Sequence, residues 1–223
     1  AIRPVNDHYP RTKLVCVENT SNRGGGKVWP LEKLAEVKKT AHENGLKTHL
    51  DGARIWNAAA AMNIPESEIA KHFDSLSVCF SKGLGAPVGS ALAGSNDFIM
   101  EARRFRKQFG GGMRQAGIIA AGALYALENN RERLIVDHNN AKMLANGLAE
   151  INGIDINPDD VETNIINFRV KGMNVNALIE KLNSQGTHVL AKDSITIRAV
   201  TNLMVSESQI NIALDHFKNA MKS

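Results

Sequence analysis

The chain has 223 residues, 27 Lys and Arg against 23 Asp and Glu, a net charge of +4 and a hydrophobic fraction of 43%. These values describe an ordinary soluble globular chain, long enough for one large unit and a small one. They exclude a membrane-spanning run and the clustered basicity of a nucleic-acid binder. The two cysteines, Cys16 and Cys79, lie in apolar runs and do not form a disulfide framework, which predicts a reducing compartment and a cytoplasmic location.

In chain order, residues 1–11 are polar and irregular and carry His8. Leu14 to Val17, bounded by charge, reads as a buried parallel strand. Gly24-Gly25-Gly26-Lys27 lacks the spacing of a phosphate loop and reads as a flexible turn. Pro30 opens and Gly45 closes a helix with Leu31, Leu34, Val37 and Ala41 on one face, a crossover between two parallel strands. Lys47 to Leu50 is the next strand, Ala53 to Met62 an Ala-rich helix, and Leu76 to Phe80 a third strand. Ser90 to Ala93 is a small-residue strand. A helix capped by Asn96 or Asp97 follows, with Phe98, Ala102, Phe105 and Phe109 on one side and Arg103, Arg104, Arg106 and Lys107 elsewhere. Gln115 to Leu127 contains no charged residue and predicts a buried helix. Arg133 to Ile151 is a long amphipathic helix suited to bridging two units. Beyond it come a strand over 164–170, a helix with Val175, Leu178, Ile179 and Leu182, a hairpin of 187–190 and 195–200 around Asp193-Ser194, and a last helix opened by the Ser206/Gln209 capping box. The expectation is an α/β chain with a mostly parallel large unit at 1–132, and a bridging helix plus small α+β unit at 133–223.

Chemistry gathers at two strand ends. His49-Leu50-Asp51-Gly52-Ala53-Arg54 delivers a carboxylate and a guanidinium; Ser81-Lys82-Gly83-Leu84-Gly85 delivers a hydroxyl and an amine into a Gly-rich turn. Ligands of open α/β sheets sit at the carboxyl ends of parallel strands, so adjacent strands would aim Asp51 and Lys82 at one pocket. An amine able to form a Schiff base and a carboxylate able to keep a pyridinium protonated are the minimal equipment for pyridoxal phosphate. Either residue alone serves equally well as a helix cap or a turn residue.

These words, with Glu18-Asn19-Thr20, Gly25-Gly26-Lys27-Val28, Ala86-Pro87-Val88-Gly89-Ser90 and Gly110-Gly111-Gly112-Met113-Arg114-Gln115-Ala116-Gly117, resemble the low-specificity L-threonine aldolases, fold-type I pyridoxal phosphate enzymes. The resemblance runs in order over nearly the whole chain. It implies an aspartate-aminotransferase-like large domain and a small C-terminal α+β domain. It also implies cleavage of L-threonine or L-allo-threonine to glycine and acetaldehyde. On this resemblance Lys82 binds the cofactor covalently and Asp51 holds the ring nitrogen, with Ser81 beside them in the cofactor site and Arg54 reaching the phenolic oxygen. Lys107 and Arg114 serve the phosphate of a neighbouring subunit, so the chain assembles as a dimer or tetramer. Arg198 takes the substrate carboxylate and His8 lies near the substrate hydroxyl. No metal site and no nucleic-acid partner is implied.

Family members carry an N-terminal stretch, with a Ser-Gly-Thr phosphate turn and a ring-stacking His, that has no counterpart here. The expectation is therefore a fold incomplete at its N-terminus. A noncatalytic remnant acting through mixed assembly is the alternative to an active aldolase. Racemisation or transamination with the same cofactor is a third reading, opposed by the Asp-Gly-Ala-Arg and Gly-Gly-Gly-Met-Arg words.

Overall fold

The structure is a computed structural model that describes residues 2–222. Strand β1 (Leu14–Glu18) leads through helix α1 (Leu31–Glu43) to β2 (Lys47–Gly52); helices α2 (Ile55–Met62) and α3 (Glu66–Ala70) lead to β3 (Ser75–Cys79), and β4 (Ser90–Gly94) follows. These form a four-stranded sheet in the order β1-β2-β3-β4, parallel except for the antiparallel β3–β4 pair. The register sets Glu18 beside Asp51 and Asp51 beside Ser77. The crossover helix ends as the sequence predicts: Gly45 has a φ of +69°, and the Leu46 amide returns to the Ala41 carbonyl at 2.9 Å. Its apolar face, with Leu34 buried, packs with Val17, Leu50, Ile55, Ala58 and Ile69 in one core.

Helix α4 (Asn96–Gln108) is capped by Ser95, whose Oγ accepts from the Phe98 amide at 3.3 Å, and not by Asn96 or Asp97. A serine just before the helix leaves Asn96 and Asp97 inside the first turn. Helix α5 (Gly117–Asn130) is not the buried helix that its composition predicts. Only Ala123 and Ala126 of its residues are buried, and Ile118 is 87% exposed. An uncharged run shows what a helix could bury, not what lies against it.

Helix α6 (Leu134–Ala149) belongs to two cores. Leu134 packs with Leu84, Ala86, Ala123 and Ala126. Ala141, Leu144, Ala145 and Leu148 pack into the core of a second sheet. That sheet has the order β5-β6-β8-β7, antiparallel throughout, from β5 (Ile154–Asp155), β6 (Ile165–Val170), β7 (Leu190–Ala191) and β8 (Thr196–Val200). The hairpin strand begins at Leu190, later than the predicted 187, because Thr187 is turned to bond the Leu182 carbonyl at the end of α7 (Val175–Ser184). Helices α7 and α8 (Glu207–Lys222) bury Leu178, Leu182, Ile210, Leu214 and Phe217 against β6 and β8. The predicted capping box opens α8: the Ser206 amide donates to Gln209 Oε1 at 2.8 Å.

Gly24 to Lys27 is a clamped turn, not a flexible one. The Gly26 amide donates to the Ser21 carbonyl at 2.8 Å, and Thr163 Oγ1 donates to the Gly26 carbonyl at 2.8 Å. Lys27 pairs with Asp160 at 2.9 Å and Glu162 at 3.1 Å. Gly26 has a φ of +76°, and a Cβ there would overlap Thr163, so close approach to the second sheet requires glycine. Neither cysteine is buried: Cys16 is exposed and Cys79 half-buried, both with free thiols.

Candidate active site

Asp51 is the penultimate residue of β2 and lies level with Ser77 of β3. Lys82 stands three residues beyond the end of β3, in a closed loop. The Phe80 amide bonds the Gly89 carbonyl at 3.0 Å, and the Gly85 amide bonds the Lys82 carbonyl at 2.9 Å. Gly85 turns with a φ of +75°, a left-handed geometry that glycine takes without strain. Asn130 Nδ2 fixes the loop by donating to the Leu84 carbonyl at 2.7 Å. Arg54 sits at the N-cap of α2, just after Asp51, whose Oδ1 accepts from the Ala53 amide at 3.1 Å.

The second sheet supplies the opposite wall. Strand alternation is as predicted: Ile197 and Ala199 are buried, while Thr196, Arg198 and Val200 are half-buried on the other face. Arg198 Nη1 donates to Asn22 Oδ1 at 2.7 Å, which ties β8 to the loop after β1. Glu18 organises that loop by accepting from the Asn22 amide at 3.0 Å and from Ser21 Oγ at 3.1 Å.

Arg54, Lys82 and Arg198 line one cleft of about 400 Å³, with Asn164, His188 and Asn202. Asp51 lines an adjoining cleft with Cys16, Glu18, Asn22 and Arg23. Asn22, bonded to Arg198, connects the two. Burial first, and then the nearby Arg198 cation, push the Arg54 pKa down; Glu18, Cys79 and Asp51 pull it up. A guanidinium stays charged all the same, so two arginines and a lysine facing one cleft make a place for an anion. Arg198 Nε is buried with no hydrogen-bond partner within the protein, as are Asn164 Oδ1 and Asn167 Oδ1. A carboxylate or phosphate is the chemistry that satisfies such a donor.

The other predicted residues stand apart from these two clefts. Ser81 is exposed and lines neither of them. His8 lies on the exposed N-terminal segment, its amide bonded to Asn6 Oδ1 at 2.9 Å. Lys107 lies in the last turn of α4 and Arg114 follows the triple-glycine loop, both exposed. That loop folds back on α4, with the Gly111 amide 2.8 Å from the Arg106 carbonyl. Asn22, Asn164, His188 and Asn202 were not predicted as site residues. They come from segments that meet only when the second sheet docks, and no local spacing marks them. A larger open groove of about 1090 Å³ between α2 and the α5–α6 junction holds none of the predicted residues. There Arg131 pairs with Glu66 at 2.6 Å and lies over the Trp56 ring.

Among the described residues no cluster of His, Cys, Asp and Glu could hold a metal ion, and no helix is long and apolar enough to cross a membrane. The family model of beta-eliminating lyases matches residues 1–171. The chain belongs to the beta-eliminating lyase family. Its relatives in that family include the low specificity L-threonine aldolase of Escherichia coli K12, 45% identical over 217 residues, which are 97% of this chain and 63% of that protein. Low-specificity L-threonine aldolase 1 of Arabidopsis thaliana is 41% identical over 216 residues, 96% of this chain and 60% of that protein. The chain thus spans about three fifths of the length of these relatives. Among solved structures, the threonine aldolase of Leishmania major superposes with a TM-score of 0.79 at 22% identity, over 97% of this chain and 64% of that one. Its fold, a fold-type I arrangement with a mixed, mostly parallel sheet, is the fold of this beta-eliminating lyase chain.

Proposed function

We propose that this chain carries the catalytic centre of a pyridoxal phosphate-dependent aldolase that cleaves L-threonine or L-allo-threonine to glycine and acetaldehyde. The observation that carries the reading is the meeting of Lys82, Arg54 and Arg198 in one cleft, with Asp51 at the neighbouring strand end. The names of its relatives support the substrate.

The residues present fit the cofactor. Lys82 is the amine for covalent attachment, Asp51 the carboxylate for the ring nitrogen and Arg54 the cation for the phenolic oxygen; Ser81, the chain neighbour of Lys82, is assigned to the cofactor site on the family resemblance alone. Bound pyridoxal phosphate supplies an electron sink at the substrate Cα. Arg198 grips the amino-acid carboxylate through its planar fork and so fixes which Cα bond is presented for cleavage. A base takes the proton of the β-hydroxyl, the Cα–Cβ pair of electrons goes to Cα, the β-carbon leaves as an aldehyde, and Cα is reprotonated to glycine. His8 is assigned to that base on the family resemblance; His188 is the histidine that lines the cleft. Residues 1–132 are the proposed cofactor-binding unit and 133–223 the bridging helix and small unit.

Self-association as a dimer or tetramer is part of the proposal, with Lys107 and Arg114 reaching the phosphate of a neighbouring copy. The exposed Phe105, Phe109, Met113 and Ile118 near those cations support it. The free thiols of Cys16 and Cys79 support a reducing compartment, the cytoplasm.

Product analysis tests the reaction. Threonine should yield acetaldehyde and glycine, and Lys82→Ala should abolish both. D-threonine or a keto acid without acetaldehyde would replace this reading with racemisation or transamination.

A further inference from the structure

Helices α2 and α6 meet at the Lys82 turn through two polar side chains that the proposed chemistry does not use. Asn57 is 1% exposed and His138 6% exposed, and Asn57 Nδ2 lies 3.0 Å from His138 Nε2. With Asn57 Nδ2 turned to it, Nε2 accepts and the neutral ring carries its proton on Nδ1, which has no hydrogen-bond partner within the protein. Burial works in the same direction, lowering the His138 pKa to about 4. Asn57 Oδ1 has no hydrogen-bond partner within the protein. It faces Gly83, where an added Cβ would stand 2.8 Å from it and 3.0 Å from Leu134 Cδ2. Gly83 is buried and directly follows Lys82. The lysine turn therefore rests on a seat built from α2 and α6, and His138 holds the polar half of that seat in place.

The same stretch of α6 is tied to the second sheet. Thr201 Oγ1 donates to the Asp137 carbonyl at 2.6 Å, and Asn164 Nδ2 donates to the Thr201 carbonyl at 2.9 Å. Thr201 follows Arg198 by three residues, so the segment carrying that arginine is anchored to the residue just before His138. An ordinary core would fill this space with apolar groups, since a buried polar atom without a partner costs free energy, and this pair keeps two, Asn57 Oδ1 and His138 Nδ1.

We propose that Asn57 and His138 are positioning residues for Lys82, a neutral imidazole fixing the amide against which the Gly83 backbone is set. The role in catalysis rests on Lys82 being the attachment lysine; the positioning itself does not. A merely structural pair would stabilise the chain and leave the chemistry of Lys82 alone.

The test measures Lys82 without cofactor. Trace acetylation of the folded chain with acetic anhydride, read by mass mapping, gives the rate at Lys82 relative to Lys13 as an internal reference. His138→Leu and Asn57→Ala should each move that ratio by about fivefold, the factor that one buried hydrogen bond is worth. His138→Gln, which returns an oxygen acceptor to Asn57, should bring the ratio back to within about twofold of the parent. An unchanged ratio in cooperatively melting His138→Leu protein overturns the proposal. Should that variant fail to fold, Gly83→Ala approaches the seat from the turn side, and an unchanged ratio there overturns it equally. A ratio that moves in these variants, in a parent that forms no cofactor adduct on Lys82, would sustain the positioning and refute the proposed function.

Discussion

The two flanks of the first sheet are built differently. On the flank of the Lys82 turn, Leu84, Ala86 and Leu134 are buried together, Asn130 holds the turn, and Asn57 and Thr201 bond to α6. On the other flank every residue of β4 is exposed, α4 buries none of its residues, and Phe109 is 85% exposed. The first flank is finished by this chain's own contacts. The second presents an apolar face and a strand edge of the kind that pairs with another surface. The difference teaches that apolar content alone says little: identical side chains are core on one flank and surface on the other.

A truncation in a core finished by this chain's own contacts should have the largest effect. Phe168→Ala empties the centre of the second sheet, where Phe168 meets Phe217 edge to ring, and should cost about 3–5 kcal/mol in urea unfolding. A loss near zero would mean that this core is not the one that stabilises the fold.

Acid should act next, through His138. Its pKa is depressed to about 4 from 6.5, so the unfolded chain binds the extra proton between those values. Stability is then full above the unfolded value and falls as pH drops from 6.5 through 4, by up to about 3 kcal/mol. Asp74, held well below its usual range despite burial by His42 and Thr48, loses its contribution only below its ordinary 3.8. Asp137, beside His138, is raised by burial against the pull of Arg133, so its contribution runs the other way, full below the ordinary 3.8 and lost as pH rises through its raised folded value. Chemical unfolding at a series of pH values should show the 4–6.5 slope in the parent and not in His138→Leu.

Asn22→Ala removes the tie between the β1 loop and Arg198 and should cost about 1–2 kcal/mol, together with a raised KM for the amino acid. An unchanged KM would detach Arg198 from substrate binding. The smallest effect belongs to the open flank: Ile118→Ser should change monomer stability by less than about 0.5 kcal/mol yet shift the mass seen by sedimentation. A large loss of stability without a change in mass would show the flank to be covered from within.

Much of this was legible in the residues. The parallel strands, the crossover helix and its Gly45 stop follow from period and punctuation, and Asp51 and Lys82 announce themselves by standing at strand ends. The Ser206/Gln209 box and the alternation around Arg198 were equally plain. Less could be read where structure depends on distant partners. Asn22, Asn164, His188 and Asn202 join the cleft only through the docking of the second sheet. The triple glycine at 24–26 looked flexible because the chain does not show Thr163 waiting against it. Helix α5 looked buried because apolar composition records capacity, and only tertiary packing decides its use.

The central claim is that Lys82 is the attachment point for pyridoxal phosphate. The most direct measurement adds the cofactor to the folded chain, records the visible spectrum before and after borohydride reduction, and maps the adduct by mass. The account predicts a visible band that reduction removes and a pyridoxyl group on Lys82. A folded chain that gives no band, or an adduct on other lysines with Lys82 unmodified, would contradict it.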